Sequence, residues 1–543
     1  MLNPDKGNRK EIPNLSKIAL EHGGSITPLD LPAKETLGDG VMNGSILFHN
    51  NKWFLNLRRV GYLFYHAEKD IKFPSPWGPL IYMNPENDVV LRTKNYVCEL
   101  DDANGYKINK WTKTDTSKLD VPPLWEFIGL EDARLQHWGG KMYQTGVRRD
   151  TTPNGEGRME LSTIEESGCC DWKETERVRV SPPDPRTHAQ GGSYCEKNWM
   201  PVNDMPYHYI KWASPTELVK VDPKKGTSKI VKMVEQPHIK TKRDMRGSSN
   251  VIKYKDHWVA IIHEVDLWFN EEEQKNSIYY HRFVVWDKDW KIKYISPEFD
   301  FMTGRIEFTC GLGFDGNNFL IPVGFQDHTS FMLQLPPEVF ENITGMSDKP
   351  LEKIESFSEE YKDIYDFVKD PYEAINAFVL GERYFNKGCW ASALGFFLRA
   401  AEFTDNPILE YNAFYMVCRS FANKNTNPEC EGKMWKQLIN LNPKRPEGWA
   451  SMAGYHSWRN QHHEAYFYLK LGYELADEWV DYKLANTSHC TKKDFKINLT
   501  LFGGSYGLIK EKKELLKDFK NNKDNYPKQL HGYMESQVKR YKI

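Results

Sequence analysis

The sequence has no long hydrophobic run. In 543 residues no window approaches the ~20 consecutive apolar residues of a membrane span; the nearest approach is the short stretch 258–262, preceded by Asp256 and His257. No membrane span is expected. An excess of charge of either sign is also missing: Lys+Arg number 73 and Asp+Glu 75, for a formal net charge of −2. Bulk nucleic-acid binding, which needs a basic field, is therefore excluded. Nine cysteines are present, none in a C-x-x-C pair, and Cys169 and Cys170 are the only neighbours. This argues against a disulfide scaffold and against a zinc site, and fits reduced thiols in a cytoplasmic compartment. The first twenty residues scatter charge and proline where a secretory leader needs an apolar core, so no leader is expected. Neither a P-loop nor a G-x-G-x-x-G turn precedes a helix, so no nucleotide cofactor and no metal is expected.

What the sequence does have is aromatic residues, at 13% of the chain. From about 40 to 335 they recur in short alternating runs such as SILFHNNKWFLNLRRVGYLFY, HWVAIIHEVDLWF and YYHRFVVWDKDWKIKYIS, broken by Asn-Asn, Asp-Lys-Asp and Asp-Gly-Asn-Asn. Period two with turn residues between predicts β-hairpins. About 300 residues of hairpins suggest a sandwich, a barrel or a propeller, and at ~60 residues per four-stranded blade a propeller would have five blades.

Near Pro350 the apolar spacing changes to i, i+3, i+4, i+7, which predicts helices to the end of the chain. The positions Leu380, Gly381, Tyr384, Ala393, Phe397 and Ala400 recur as Met452, Ala453, His456, Ala465, Leu469 and Gly472. Both sets fit a 34-residue unit whose small residues let two antiparallel helices approach, the pattern of tetratricopeptide repeats. The expected layout is a β domain over 1–340 and an α-helical repeat domain over 350–543. The repeats would serve as a surface for a protein partner or as a cap on the β domain.

The densest chemical segment is 125–134, in which Glu131, Asp132 and Arg134 fall together just before a strand. Arg134 could pair with one carboxylate and leave the other to act on a substrate; the alternative is a surface turn closed by a salt bridge.

The segment Gly129-Leu130-Glu131-Asp132-Ala133-Arg134 resembles the Gly-Val-Glu-Asp-Pro-Arg motif of glycoside hydrolase family 130, the β-mannoside phosphorylases and their hydrolase and transferase relatives. Four further segments are similar in the same order. They are Asn43-Gly44-Ser45-Ile46 with the strand ending at Arg58, then Glu196-Lys197-Asn198, then Arg246 to Ser249 with the strand ending at His263, and finally Gly311-Leu312 with the strand before Asp327. The resemblance covers roughly 40–335 and implies a five-bladed β-propeller with a sugar in its central cleft.

It further implies that Asp132 is the single catalytic acid, passing its proton through a sugar hydroxyl while a nucleophile attacks the opposite face with inversion. Arg58, Arg134 and Arg246 would hold a sugar ring or an anionic group, and His263 and Asp327 would line the cleft. For the acid role Asp132 needs a raised pKa, and the role is preserved if Arg134 pairs mainly with Glu131. Ala133 stands where the family has proline. Where phosphorylases have His-Arg-Pro, this chain has Tyr207-His208-Tyr209-Ile210-Lys211-Trp212, so a phosphate arginine is replaced by Lys211 or His208. The reading that follows is glycosyl transfer, mannoside-like, from an activated sugar (a nucleotide sugar or sugar 1-phosphate) to a glycan or glycoconjugate acceptor. Phosphorolysis, hydrolysis and a non-catalytic glycan-binding propeller are the alternatives.

Overall fold

The structure, a computed structural model, describes residues 11–64, 80–82, 91–168, 171–183, 195–269, 275–424, 428–477, 490–503, 509–526 and 528–543. Cys169, Cys170 and the first ten residues lie outside the described residues. The alternating runs form five antiparallel sheets, each following the last along the chain. Blade 1 has as its main strands Gly40–His49, Lys52–Val60, Leu91–Asp101 and Lys107–Lys113; blade 2 has Glu131–Trp138, Lys141–Arg148, Arg158–Ser167 and Asp171–Arg179. Blade 3 has Met200–Pro201, His208–Trp212, Thr216–Val221 and Ser228–Val234; blade 4 has Arg246–Gly247, His257–Phe269, Lys275–Trp286 and Ile292–Ile295. Blade 5 has Glu307–Phe308, Phe319–Phe325, Thr329–Leu335 and, outermost, the early strand Ser25–Pro28, with Ser25 opposite Gln334. This is a five-bladed β-propeller, closed by a strand from its own beginning.

Burial shows which edge faces the axis. The first strands of blades 1 and 2 are buried nearly throughout, whereas the last strand of blade 3 alternates between half-buried and exposed. Inner strands therefore have no solvated face, while the outermost strand of blade 3 keeps a period of two. Each pair of neighbouring blades is pinned. Asn43 bonds Asp132 across blades 1 and 2, Gly157 bridges Cys195 before blade 3, and Val202 bridges Val251 across blades 3 and 4. Asn250 and Leu312 exchange hydrogen bonds across blades 4 and 5, and the Cys310 amide donates to Gly44 O to complete the ring.

In every blade the first strand starts opposite the middle or the end of the second: Gly40 pairs with Val60, Glu131 with Val147, Met200 with Ile210, Arg246 with His263 and Glu307 with Phe325. One end of the ring thus collects the five first-strand starts and the second-strand residues that they face.

After Leu335 the chain is helical. The compact units divide at Phe403/Thr404, so helices Pro337–Thr344, Lys362–Lys369, Ala374–Asn386 and Trp390–Phe403 belong to the same unit as the propeller. The last of these packs on the turn of blade 5. Ser392 Oγ donates to His328 O (2.7 Å), Phe396 stacks on Phe325 (5.5 Å), and Gly395 lies so close to the His328 ring that a Cβ there would fall 2.3 Å from it. The second unit, Thr404–Ile543, holds helical hairpins such as Pro446–Trp458 with His462–Leu475, and its end is built on Ile497, Leu501, Leu516, Phe519 and Met534. Gly472 is needed where a Cβ would fall 2.5 Å from Trp449 Cβ. No helix among the described residues is long and apolar enough to cross a membrane.

Candidate active site

At the collecting end, charged side chains from all five blades share one electrostatic neighbourhood. Arg58 comes from blade 1, Glu131 and Asp132 from blade 2, Lys197 from the segment entering blade 3, Arg246 and Tyr279 from blade 4, and Asp327 from the turn of blade 5. Asp327 feels Arg58, Asp132, Lys197 and Glu131, and Tyr279 feels Lys197, Asp327, Asp132 and Arg246.

Asp132 adopts φ +49°, in the left-handed region that Asp and Asn tolerate best among non-glycine residues. Asn43 and Asn198, at the matching places of blades 1 and 3, also have positive φ (50° and 65°). In blades 1 and 2 the ladder shifts register beside these residues, and such an irregularity re-aims a side chain at a strand start.

The Asp132 carboxylate is almost fully enclosed. Its Oδ1 accepts from Arg58 Nη1 (2.9 Å) and from Asn43 Nδ2 (2.9 Å). Arg58 is itself fixed by Nε donating to Thr93 Oγ1 (3.1 Å) and Nη2 donating to Tyr62 OH (2.8 Å), and it lies 3.6 Å from Glu131 Oε2. Burial would raise the Asp132 pKa, but Arg58, Lys197, Arg134 and the Asn43 amide together outweigh it and hold the group at about 2. The raised value expected from sequence is thus reversed. Arg134 does not pair with Glu131 either. Its Nη1 donates to the backbone O of Asp132 (2.6 Å), and Nε and Nη2 both donate to Ser248 O (3.0 and 2.6 Å). Arg134 is therefore a strut between blade 2 and blade 4 that fixes the Asp132 backbone, and it has little left for a substrate.

Asp327 shows the opposite behaviour. It sits in a tight turn at φ +54°, and burial, with Asp132 and Glu131 adding to it and Arg58 and Lys197 opposing, lifts its carboxyl to about 6. The two carboxyl groups of one site thus titrate in different ranges, Asp132 at about 2 and Asp327 at about 6.

The remaining expected residues separate into two groups. Lys197 is exposed and Arg246 half-buried, and among the described residues neither side chain has a hydrogen bond or ion pair. The Lys197 ammonium is opposed by burial but favoured by Tyr279, Asp132 and Glu131, with a net rise in pKa. His263 is buried behind Arg246, 3.0 Å from Ser248 Oγ through Nδ1 and stacked on Tyr279 (5.2 Å). Burial, then His281, Arg246, Lys197 and Arg134, push its pKa far down, so it is a neutral support for Tyr279. Glu196 and Lys211 form a buried pair at 3.7 Å, with Glu196 also accepting from Trp199 Nε1 (2.9 Å). Lys211 is thus engaged inside blade 3 instead of standing in for a phosphate arginine, and His208 Nδ1 sits 2.8 Å from Pro206 O. Asn198 is buried just before the first strand of blade 3, its Oδ1 without a hydrogen-bond partner among the described residues.

Sequence reasoning missed Tyr62, Thr93 and Tyr279, and it quoted Asn43 without assigning it a role. Asn43 had a visible signal in its Asn-Gly pair inside a strand run; the other three had none, because their partners come from other strands.

No family model matches the sequence, and no curated protein matches it. Solved structures do. A β-1,2-mannobiose phosphorylase from Listeria innocua, in complex with β-1,2-mannobiose, aligns at 12% identity over 56% of this chain and 92% of that one, with a TM-score of 0.33. A GDP-Man-dependent mannosyltransferase from Leishmania mexicana aligns at 10% over 61% and 94% (TM-score 0.33). A mannose phosphorylase from the same organism, in complex with phosphate ion, aligns at 12% over 63% and 97% (TM-score 0.33).

Proposed function

We propose that the chain is a carbohydrate-active enzyme that transfers a glycosyl unit with inversion from a phosphate-bearing sugar donor. The observation that carries this reading is the pair of cations, Lys197 and Arg246, with no protein partner among the described residues, beside two carboxyl groups whose pKa values the site drives in opposite directions. Unpaired cations next to paired carboxylates suit an anionic group on the leaving side of a sugar, because a charge-assisted contact is worth about twice a neutral one. The motif order noted in the sequence supports a mannoside-like sugar, and the positions of Glu131 and Asp327 suit its hydroxyl groups.

Asp132 delivers the proton in this reading, and the anionic donor arms it. When a phosphate neutralises Lys197 and Arg246, part of what holds Asp132 down is removed, while Glu131 and Asp327 still push it up. The acid is then poor in the free enzyme and competent in the complex. A second reading, favoured by the value of about 6, makes Asp327 the proton donor itself. We read the helical hairpins as tetratricopeptide-like, a surface for a protein partner or glycoconjugate.

Release of phosphate or nucleotide from sugar 1-phosphates and nucleotide sugars tests the activity. Release from one class that disappears in both Lys197→Ala and Arg246→Ala supports the reading. Release from neither class, with hydrolysis of an unactivated mannoside, overturns it.

A further inference from the structure

Away from the axis, the groove between blades 1 and 2 holds a cavity of about 320 Å³. Its walls are Thr93 to Asn95 on the third strand of blade 1, the segment from Thr114 to Ser117 after the fourth, and Leu130, Gln144, Arg148 and Asp150 of blade 2. By strand direction this wall belongs mainly to the same end of the ring as the charged cluster. Two of its residues also touch that cluster: Thr93 Oγ1 accepts from Arg58 Nε, and Leu130 immediately precedes Glu131.

The chemistry of the cavity differs from that of the axis. Five basic and four acidic residues line it, and two of its guanidinium groups are already opposed. Arg148 pairs with Glu160 and Asp150, and Arg177 with Glu174 and Asp120. Its formal charges, five against four, nearly cancel. It does have hydroxyl and carboxamide groups, and one buried acceptor without a donor. Asp150 is 7% exposed; its Oδ2 accepts from the Gly129 amide (2.9 Å) and Arg148 (3.4 Å), while Oδ1 has no hydrogen-bond partner among the described residues. The neighbouring Thr151 Oγ1 is likewise unpaired. Unsatisfied buried acceptors of this kind are uncommon in folded proteins and call for an unseen donor.

We infer that this groove is a distal subsite for neutral sugar units, continuous with the saccharide held at the axis. The inference rests on the carbohydrate reading above and adds to it a preference for chain length. Alternating donors and acceptors match the hydroxyls of an uncharged sugar, and the volume, at the small end of ligand cavities (~300–1,000 Å³), suits roughly one or two pyranose rings. Asp150 Oδ1 and Thr151 Oγ1 are the groups that a sugar hydroxyl would satisfy.

The test is calorimetric titration of the full chain with linear saccharides of two, four and six units prepared from β-mannan, cellulose and starch, comparing wild type with Ser117→Trp, an exposed wall position, and Asp150→Asn. Thermal unfolding of each variant checks its folding. The expected result is that the wild type binds one series about tenfold more tightly at four units than at two, and that this ratio falls to near one in Ser117→Trp and at least halves in Asp150→Asn. A length gain that both folded variants retain, or disaccharide binding with no length gain in the wild type, overturns the subsite and leaves the axial reading standing. Failure of every series to bind overturns both.

Discussion

The start of blade 2 and the turn of blade 5 each place an aspartate at positive φ in the same charged neighbourhood, yet one is held at about 2 and the other lifted to about 6. Burial pushes both upward. The difference lies in partners: Asp132 has a guanidinium at 2.9 Å and an amide at 2.9 Å, whereas Arg58 and Lys197 reach Asp327 as weaker opposition to burial and to two neighbouring carboxylates. Protonation in this site is thus set by direct hydrogen-bonded neighbours.

The strongest way to break this contrast is to neutralise each group in turn. Asp132→Asn keeps a residue that tolerates the left-handed backbone and removes the transferable proton, so kcat falls by ~10²–10⁴. Asp327→Asn leaves kcat within about tenfold if Asp132 is the acid; an equally deep loss in Asp327→Asn transfers the role to Asp327. Single-turnover rates on the same donor decide between them.

Removing the counter-ion comes next. Arg58→Met leaves Asp132 buried without its guanidinium and lowers stability by ~3–5 kcal/mol, measured by urea unfolding at pH 7. Part of that loss is recovered when Asp132→Asn is added, because the uncompensated charge is then gone.

The two pKa shifts predict opposite pH windows. Asp132 is depressed in the folded state, so its contribution, about 2 kcal/mol, is present above pH ~4 and is lost as pH falls toward ~2. Asp327 is raised, so what its protonated form contributes is present below pH ~4 and is lost as pH rises through about 6. Its ionisation also adds negative charge where the proposed donor phosphate would bind. kcat/KM therefore falls above about pH 6, and Asp327→Asn removes that limb.

The smallest effect sharpens the comparison from outside the site. Gly395→Ala pushes against the His328 ring and lowers stability by ~1–3 kcal/mol. It shifts the alkaline limb set by Asp327 and leaves the acid transition set by Asp132 where it was.

How far the sequence discloses all this follows from the range of each interaction. The blades were legible because short runs of apolar residues are broken by turn residues such as Asn50-Asn51, and the Glu131-Asp132-Arg134 loop was legible because its members are neighbours. The true partner of Asp132 was not legible, since Arg58 reaches it from another blade while Arg134, two residues away, spends its donors on backbone carbonyls. The compact boundary at Phe403 escaped for a similar reason. The apolar face of Trp390–Phe403 announces a helix, but only the fold shows that it packs on Phe325 and His328.

The outermost strand of blade 5 gives the propeller an order in time. Ser25–Pro28 leaves the ribosome before any blade exists, and its partner Thr329–Leu335 emerges after all the others. The ring stays open, with the edge of blade 5 unpaired, until the whole β region has been made, and pairings this distant in sequence form slowly. The site draws on blade 1 and blade 5 together, so it is among the last parts of the molecule to assemble. Partly synthesised chains therefore lack the assembled site.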